Sequence, residues 1–579
     1  MIRATAREFA DNEIAPRARE HDRSGRFDTE LGCSGLTEPN TGSDAANLSR
    51  HDRRGRDDVK DSAGMSNPSR RDPGSAGMPN PSRPDPVAPP TTVGVVGAGT
   101  MGAGIAQLAC AAGMRARLHD PVPEALERGR ESVARGLATL ERKRLQCGAL
   151  AAAARLDPVA ELAGLAGCEL VIEAVPERIE LKRELFAALS KICGPACVLA
   201  TNTSSIPVTA LAGAAAHPEQ VVGMHFFNPP PLMALLEVIR AEQTGNRAAA
   251  LARATGEAMG KRVIEAADGP GFLVNRCGRP FGAEALRIVG ERLAAPAQVD
   301  RICRIGGGFR MGPFELMDLV GIDVGLDVAR SLTELSFGES RWKPSPLQAQ
   351  KVAAGTLGRK TGSGWYDYGG GPHRPDDPEP LDLDPTPVGG APAVRLIGAP
   401  AELRERALAL GLEIDAADAP TLVSCRRASL AAQCGDADAC GIMIGPPLAS
   451  ARMAEATRLP GTSDATAGAT ESFMAALGLR VEWVGDAPGL VLRRIVCQLV
   501  NEAAFAIGEG VGSAEDVEAG MTLGLNHPRG PVEWSRVIGP ALVLETIDGL
   551  WAERREERYR AAPLLRRAAA LSAPSVAGP

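Results

Sequence analysis

The chain has 579 residues, more than one ordinary domain holds, so roughly three or four folding units of about 150 residues are expected. Hydrophobic residues make up 44% and charged residues 23%, which excludes a chain disordered throughout, and a net charge of −7 offers no general attraction to nucleic acid. No apolar run approaches the roughly 20 residues needed to cross a bilayer, and no secretion signal opens the chain. The 12 cysteines are scattered without Cys-x-x-Cys pairs or histidine partners. A cytosolic protein with reduced thiols, no metal site and no nucleic-acid or membrane partner is expected.

Residues 1–50 open with an amphipathic helical pattern, Ile2 to Ile14, followed by a turn-rich stretch. Met1-Ile-Arg-Ala-Thr-Ala-Arg-Glu-Phe-Ala10 and Gly35-Leu-Thr-Glu-Pro-Asn-Thr-Gly-Ser-Asp44 resemble two parts of the flavin-dependent acyl-CoA dehydrogenases. In that family these parts lie far apart, so the segment reads as a vestige; a flavin-linked activity from it is the alternative. Residues 51–90 are rich in Pro, Ser, Arg and Asp and carry a near-duplicate, Ser62–Arg70 and Ser75–Arg83, the composition of a disordered linker.

Residues 91–267 alternate strand and helix patterns: Val93–Val96, a helix from Met101 to Ala112, Arg115–His119, a long helix from Pro123 to about Leu145, then Glu169–Ala174. Such alternation predicts a Rossmann-type, doubly wound α/β sheet. Gly97-Ala-Gly-Thr-Met-Gly102 follows the first strand and opens the first helix. There Gly97 makes the tight turn, Gly99 admits a pyrophosphate and Gly102 lets the helix approach the sheet, with Thr100 and Met101 completing the loop. Asp120 closes the next strand, where a carboxylate accepts from an adenosine ribose and repels a 2′-phosphate, so the expected cofactor is NAD. Arg115 and Arg117 on the same strand leave NADP open.

Further on, Val221–Phe227 and Leu235–Ile239 read as strands, and Asn228 to Pro231 supply a reversal that brings Glu237 beside His225. A base with an orienting carboxylate results. A strand-end histidine bonded to a backbone carbonyl is the competing reading.

Residues 268–368 turn to helices only, an all-α domain with candidates Phe272–Leu293, Pro296–Ile305, Gly312–Val328 and Ser345–Ala354. A Pro, Asp and Gly-rich linker covers 369–392. The remainder echoes the first part. Asp486-Ala-Pro-Gly-Leu-Val-Leu-Arg-Arg494 parallels Asp268-Gly-Pro-Gly-Phe-Leu-Val-Asn-Arg276, and Arg529-Gly-Pro-Val-Glu533 parallels Arg310-Met-Gly-Pro-Phe-Glu315, so residues 486–572 form a second helical lobe. Before it, residues 393–485 read as a degenerate Rossmann-like segment. Val394–Pro400 and Leu412–Asp415 mimic its strands, without a phosphate-gripping loop. No counterpart of the His225 hairpin is recognisable there, and one active site per chain is expected.

With the glycine loop, Thr201-Asn-Thr-Ser-Ser205, His225-Phe-Phe-Asn-Pro229 and Asp268–Arg276 in this order, the chain resembles the 3-hydroxyacyl-CoA dehydrogenases from about Thr92 to Tyr368. Its two-lobed tail, with Asn526-His-Pro-Arg-Gly-Pro531, is similar to that of longer bacterial members, the 3-hydroxybutyryl-CoA and 3-hydroxyadipyl-CoA dehydrogenases. The resemblance implies reversible, NAD-dependent conversion of a (3S)-3-hydroxyacyl-CoA to a 3-oxoacyl-CoA in fatty-acid or aromatic-acid breakdown. It implies His225 as general base, Glu237 as its orienting partner, and Ser204 and Asn275 as contacts of the substrate oxygen and the base. Glu177 and Lys182 match positions along the nicotinamide ribose, Lys360 a cofactor contact from the helical lobe, and Lys143 a contact to the CoA phosphates. Gly136 stands where a serine contact is often found. A non-catalytic acyl-CoA or NAD binding protein is the remaining alternative. The second lobe is expected to replace, within one chain, the surface by which shorter members dimerise, which leaves a monomer with internal lobe pairing or a homodimer.

Overall fold

The computed structural model describes residues 87–142, 148–374, 376–378, 381, 392–435 and 437–572. The N-terminal vestige, the repeated linker and Lys143 lie outside the described residues.

An eight-stranded sheet forms the first half, in the order β3-β2-β1-β4-β5-β6-β7-β8. Its strands are β1 (Thr92–Val96), β2 (Arg115–His119), β3 (Leu156–Val159), β4 (Leu170–Glu173), β5 (Val198–Thr201), β6 (Val221–Phe226), β7 (Leu235–Arg240) and β8 (Arg262–Ala267). The first six run parallel, with the order reversing between β1 and β4, the topological switch point at which such sheets bind dinucleotides. Strand β7 then turns antiparallel to β6, and β8 pairs parallel with β7. The reversal expected at Asn228 to Pro231 thus supplies the antiparallel step at this edge. The Asn228–Pro231 reversal, entered through a cis Asn228–Pro229 bond, makes a hairpin where a crossover helix would keep strands parallel. Burial on both faces explains why β4, β5 and β6 read as continuous apolar runs: every residue in them is buried.

Helices α1 (Thr100–Ala111), α2 (Pro123–Arg142) and α3 (Ile179–Cys193) belong to this sheet domain, and α4 (Val274–Gly290) opens the first helical lobe. The stretch expected as one helix from Gly312 is two, Pro313–Val320 and Ile322–Leu335. Gly321 between them has φ 107°, a conformation that side-chain-bearing residues rarely adopt and that ends a helix. Beyond the lobe, the start of the Gly369–Pro392 stretch is fastened to it, with Arg374 on Glu315 at 2.6 Å and Arg304 on Asp377 at 2.6 Å.

A five-stranded sheet follows, with β9 (Arg395–Ile397), β10 (Thr421–Ser424), β11 (Ala439–Ile444), β12 (Met453–Arg458) and β13 (Arg480–Trp483) in the order β13-β12-β11-β10-β9. The expected strand Leu412–Asp415 is reduced to one bridge, Val394 to Ile414. Strand β12 is antiparallel to β11 and β13 parallel to β12, the same arrangement as β6, β7 and β8. A hairpin counterpart therefore exists in the second half, contrary to the sequence reading. Met443 pairs with Glu455 where His225 pairs with Glu237, and a cis Pro446–Pro447 bond follows as Asn228–Pro229 does. With the histidine replaced by methionine, the hairpin lost the one residue by which the sequence made it visible.

Helix α5 (Leu492–Gly508) packs on α4, and the two lobes meet as near-copies at a constant sequence spacing. Arg276 of the first lobe bonds Glu502 (2.8 Å) and Glu509 (2.7 Å) of the second, while Arg494 of the second bonds Glu284 (2.5 Å) and Glu291 (2.8 Å) of the first. Such reciprocity is the signature of an isologous, two-fold contact, here within one chain. One apolar core runs from the sheet (Leu199, Val221, Ile239) through both lobes (Phe281, Leu499, Trp534). The lobes thus fold onto the eight-stranded sheet as one body. Among the described residues, no helix is long and apolar enough to cross a membrane.

Candidate active site

Two neighbouring constellations lie along the carboxyl ends of the parallel strands. The first is the glycine loop after β1. The Gly97 amide donates to His119 O (2.8 Å), and its φ of 99° with Ala174 O only 2.6 Å from a would-be Cβ excludes any other residue. A Cβ on Gly102 would lie 1.8 Å from Gly97 O, so the close start of α1 also depends on glycine. At Gly99 the same construction meets nothing within 4 Å. That open face, at the start of a helix with no acidic residue in its first turn, exposes backbone amides and the positive end of the helix dipole to an anion. Thr100 is exposed there and Met101 half-buried. Asp120 accepts from the Ala98 amide (2.9 Å) and the Val122 amide (3.0 Å), which fixes its carboxylate at the end of β2. Arg117 is bonded to Gly164 O and Ala166 O, and Arg115 begins β2, at roughly 3.3 Å per residue some five residues away from the cofactor end. The residues present fit a dinucleotide with a free ribose 2′-hydroxyl.

The second constellation is built on the β6–β7 hairpin. His225 Nδ1 lies 2.7 Å from Glu237 Oε2, and Glu237 is fully buried. The other oxygen, Oε1, accepts from the amides of Leu273 and Val274, both at 3.0 Å, at the start of α4. One carboxylate thereby ties the histidine to the amino end of the helix that carries Asn275. Because Nδ1 is engaged with a carboxylate, it carries the proton, and Nε2 is the nitrogen left to accept one. Phe227 lies against the imidazole with ring centroids 4.6 Å apart and planes tilted by 47°, and Phe272 lies at 6.0 Å. Asn275 Nδ2 donates to Ser204 O (3.4 Å), which joins the helical lobe to the loop after β5.

Ser204 is exposed, and its loop is gathered by Glu177. Glu177 Oε1 accepts from Thr203 Oγ1 (2.5 Å) and from the Ser204 (3.0 Å) and Ser205 (3.1 Å) amides. Burial works against the Glu177 charge, but the Lys182 ammonium and these donors bring its pKa down to about 2. Lys182 is buried between Glu177 (2.7 Å) and Glu173 (3.1 Å), so its ammonium orders the loop through these carboxylates. Lys360 is paired with Asp323 at 2.5 Å inside the helical lobe. The structure thus joins His225, Glu237, Ser204, Asn275, Glu177 and Lys182 through hydrogen bonds, and places Lys360 in a separate ion pair. Above Gly136 the Gln107 side chain fills the space, with Oε1 2.0 Å from a would-be Cβ, so a serine there would require Gln107 to swing away.

Sequence reasoning missed three supports. Asn202 Oδ1 accepts from the Phe226 amide (2.8 Å) and holds the histidine's strand. Glu173 accepts from the Val175 amide and Thr201 Oγ1 under the same loop. Lys261 donates to Pro230 O and Met233 O, each at 2.7 Å, and locks the hairpin turn; burial pushes its pKa down to about 8. Prolines 230 and 231 in turn sit 3.1 Å from a would-be Cβ of Gly104 on α1, which sets the helix of the glycine loop against the His225 hairpin. A lysine beginning a strand and an asparagine in a Thr/Ser run gave no pattern that singles them out.

Comparison with known proteins decides the family. The sequence profile of the 3-hydroxyacyl-CoA dehydrogenase NAD binding domain matches residues 92–269, and that of the family's C-terminal domain matches twice, over 271–368 and 489–576. The chain belongs to the 3-hydroxyacyl-CoA dehydrogenase family. It is 35% identical to a 3-hydroxyadipyl-CoA dehydrogenase of Escherichia coli over 83% of this chain and 98% of that protein. It is also 42% identical to a probable 3-hydroxybutyryl-CoA dehydrogenase of Deinococcus radiodurans, which covers 48% of this chain and is itself covered to 99%. A crystal structure of a 3-hydroxybutyryl-CoA dehydrogenase from E. coli superposes with a TM-score of 0.74 at 33% identity, over 83% of this chain and 98% of that one. This dehydrogenase therefore uses NAD and acts on a hydroxyacyl-CoA, and its length relative to the Deinococcus protein is accounted for by the second half and the N-terminal segment.

Proposed function

We propose that His225 is the general base of this dehydrogenase, and that Ser204 and Asn275 orient the substrate's 3-oxygen. Nε2 takes the 3-hydroxyl proton as C3 becomes a carbonyl carbon. Glu237 holds the imidazole in the tautomer that can accept it and stabilises the imidazolium that forms. NAD, when bound, accepts the hydride released from C3; Gly97, Gly99, Thr100, Met101, Gly102 and Asp120 would hold it, with Glu177, Lys182 and Lys360 proposed along its nicotinamide end. Lys143 is proposed as a contact of the CoA phosphates. The observation that carries this reading is the buried carboxylate shared between His225 and the amides that open α4. A surface histidine–carboxylate pair would need no such anchoring.

A second carboxylate on the acyl group would need a cation, and Arg240 and Arg276 are arginines that lie near the motifs. Arg276 is spent on Glu502 and Glu509 between the lobes, and Arg240 donates to Asn246 Oδ1 (2.8 Å) and Thr244 O (3.3 Å). With Phe227 and Phe272 beside the imidazole, we therefore read the acyl group as short and apolar, with 3-hydroxybutyryl-CoA as the reference substrate. Comparing kcat/KM for 3-hydroxybutyryl-CoA and 3-hydroxyadipyl-CoA tests this, and a clear preference for the dicarboxylic substrate overturns it. NADH oxidation with acetoacetyl-CoA tests the base. His225→Gln should lower the rate by at least about 10²-fold, the usual worth of a positioned base. A variant keeping more than about a tenth of the wild-type rate removes His225 from that role.

A further inference from the structure

The lobe without chemistry reaches into the site of the other. In the second lobe, the turn Gly520–Gly524 packs on the catalytic hairpin. A would-be Cβ on Gly524 lies 2.8 Å from Leu235 Cδ2, 3.3 Å from Val274 Cγ1 and 3.5 Å from Phe227 Cε1, the ring that lies tilted against His225. The next residue, Leu525, places Cδ1 2.3 Å from the would-be Cβ of Gly278, which is three residues past Asn275 on α4. Leu525 and Asn526 stay half-buried, and Asn526 adopts φ 54°, an uncommon conformation for a residue with a side chain. His527, buried against Phe281 and Phe309 of the first lobe, pins the turn in place.

The contact is reciprocal, which provides an internal control. The first lobe's turn, Ile302–Gly306, faces the second hairpin, where a would-be Cβ of Gly445 meets Gly306 O at 2.6 Å. Phe227 has become Gly445, so the backbones close on each other. The residues that follow are Gly307 and Gly308 where the other turn has Leu525 and Asn526. At these two positions only the segment facing the His225 hairpin carries side chains.

We propose that Leu525 and Asn526 form the acyl-side wall of the active site and set its chain-length preference. This rests on the assignment of His225 as the catalytic base. The wall stands next to Phe227 and Gly278, two residues from His225 and three from Asn275, so truncating Leu525 opens space along the acyl chain and leaves the cofactor loop untouched. The test is a chain-length series, kcat/KM for C4, C6 and C8 3-hydroxyacyl-CoA, with the NADH Kd measured alongside. Leu525→Ala should shift the C8-to-C4 ratio toward the longer chain by about tenfold or more, mostly through KM, since one or two methylenes in an apolar pocket discriminate on that scale. Leu525→Phe should shift it the other way. Asn526→Gly, which suits the observed φ and so preserves folding, should change the same ratio without altering the NADH Kd. Equal changes at every chain length in all three variants, or none, overturn the wall. A wild-type chain that turns over no 3-hydroxyacyl-CoA overturns the functional reading beneath it as well.

Discussion

The two hairpins of this dehydrogenase share a scaffold and differ in chemistry. In each, a buried glutamate on the returning strand accepts the two amides that open the facing long helix: Glu237 from Leu273 and Val274, Glu455 from Val491 (2.6 Å) and Leu492 (3.2 Å). In each, a residue with positive φ precedes that helix, Phe272 at 49° and Leu490 at 47°. Opposite Glu237 stands a histidine; opposite Glu455 stands Met443, which neither takes nor gives a proton. Burial accordingly pushes the Glu455 carboxyl up to about 8, so it remains largely protonated at neutral pH. The difference teaches that the helix-anchored carboxylate is first a joint between sheet and lobe, and that the catalytic role proposed for Glu237 depends on the histidine and the dinucleotide loop added to it.

Restoring a histidine to the silent hairpin is the strongest way to break this comparison. The double variant His225→Gln/Met443→His should stay at the rate of His225→Gln, at least about 10²-fold below wild type, because the second sheet offers no glycine loop. Recovery in steady-state NADH oxidation would mean that the second half binds cofactor. The interface comes next in size. Arg494→Met leaves the buried Glu284 without its cation, while Glu291 keeps Arg554, and should cost about 3–5 kcal/mol in denaturant unfolding, with Arg276→Met costing a similar amount if the two-fold relation holds energetically. A loss below about 1 kcal/mol in either would show that the reciprocal pairs are not equivalent.

A pH series sharpens the same comparison more gently. In the folded chain Glu455 keeps its proton up to about pH 8, whereas unfolded it releases it near 4.5, so the unfolded state binds fewer protons between these values. Its contribution to stability is complete below about pH 4.5 and is lost as pH rises through about 8. Glu455→Gln should flatten that part of the stability profile, while Met443→Leu should leave it in place and change stability by less than about 1.5 kcal/mol. An unchanged profile in Glu455→Gln would place the titration elsewhere.

The sequence announced the live half through residues whose chemistry is directional. The glycine spacing after an apolar strand, Asp120 at the end of the next strand, and His225 and Glu237 flanking a proline turn each carry a local pattern that survives without a structure. The duplicated Pro-Gly-Phe/Leu segments likewise revealed the second lobe. What stayed hidden was held by tertiary contact. Lys182 looks like a surface cation on a helix and is in fact buried between Glu173 and Glu177. Lys261 and Asn202 lock the hairpin from distant positions. The second hairpin escaped notice because its pairing is conveyed by backbone hydrogen bonds, which any apolar strand supplies. Leu525 is an ordinary leucine until the lobe that carries it is folded across the interface.

The central claim is that one chain holds one working site, in its first half. Counting NADH sites by isothermal titration calorimetry tests it most directly, using wild type and Gly102→Val, whose side chain collides with Gly97 O. The account predicts one NADH per chain in the wild type and none in Gly102→Val. Two sites per chain, or a site that persists in Gly102→Val, would contradict it.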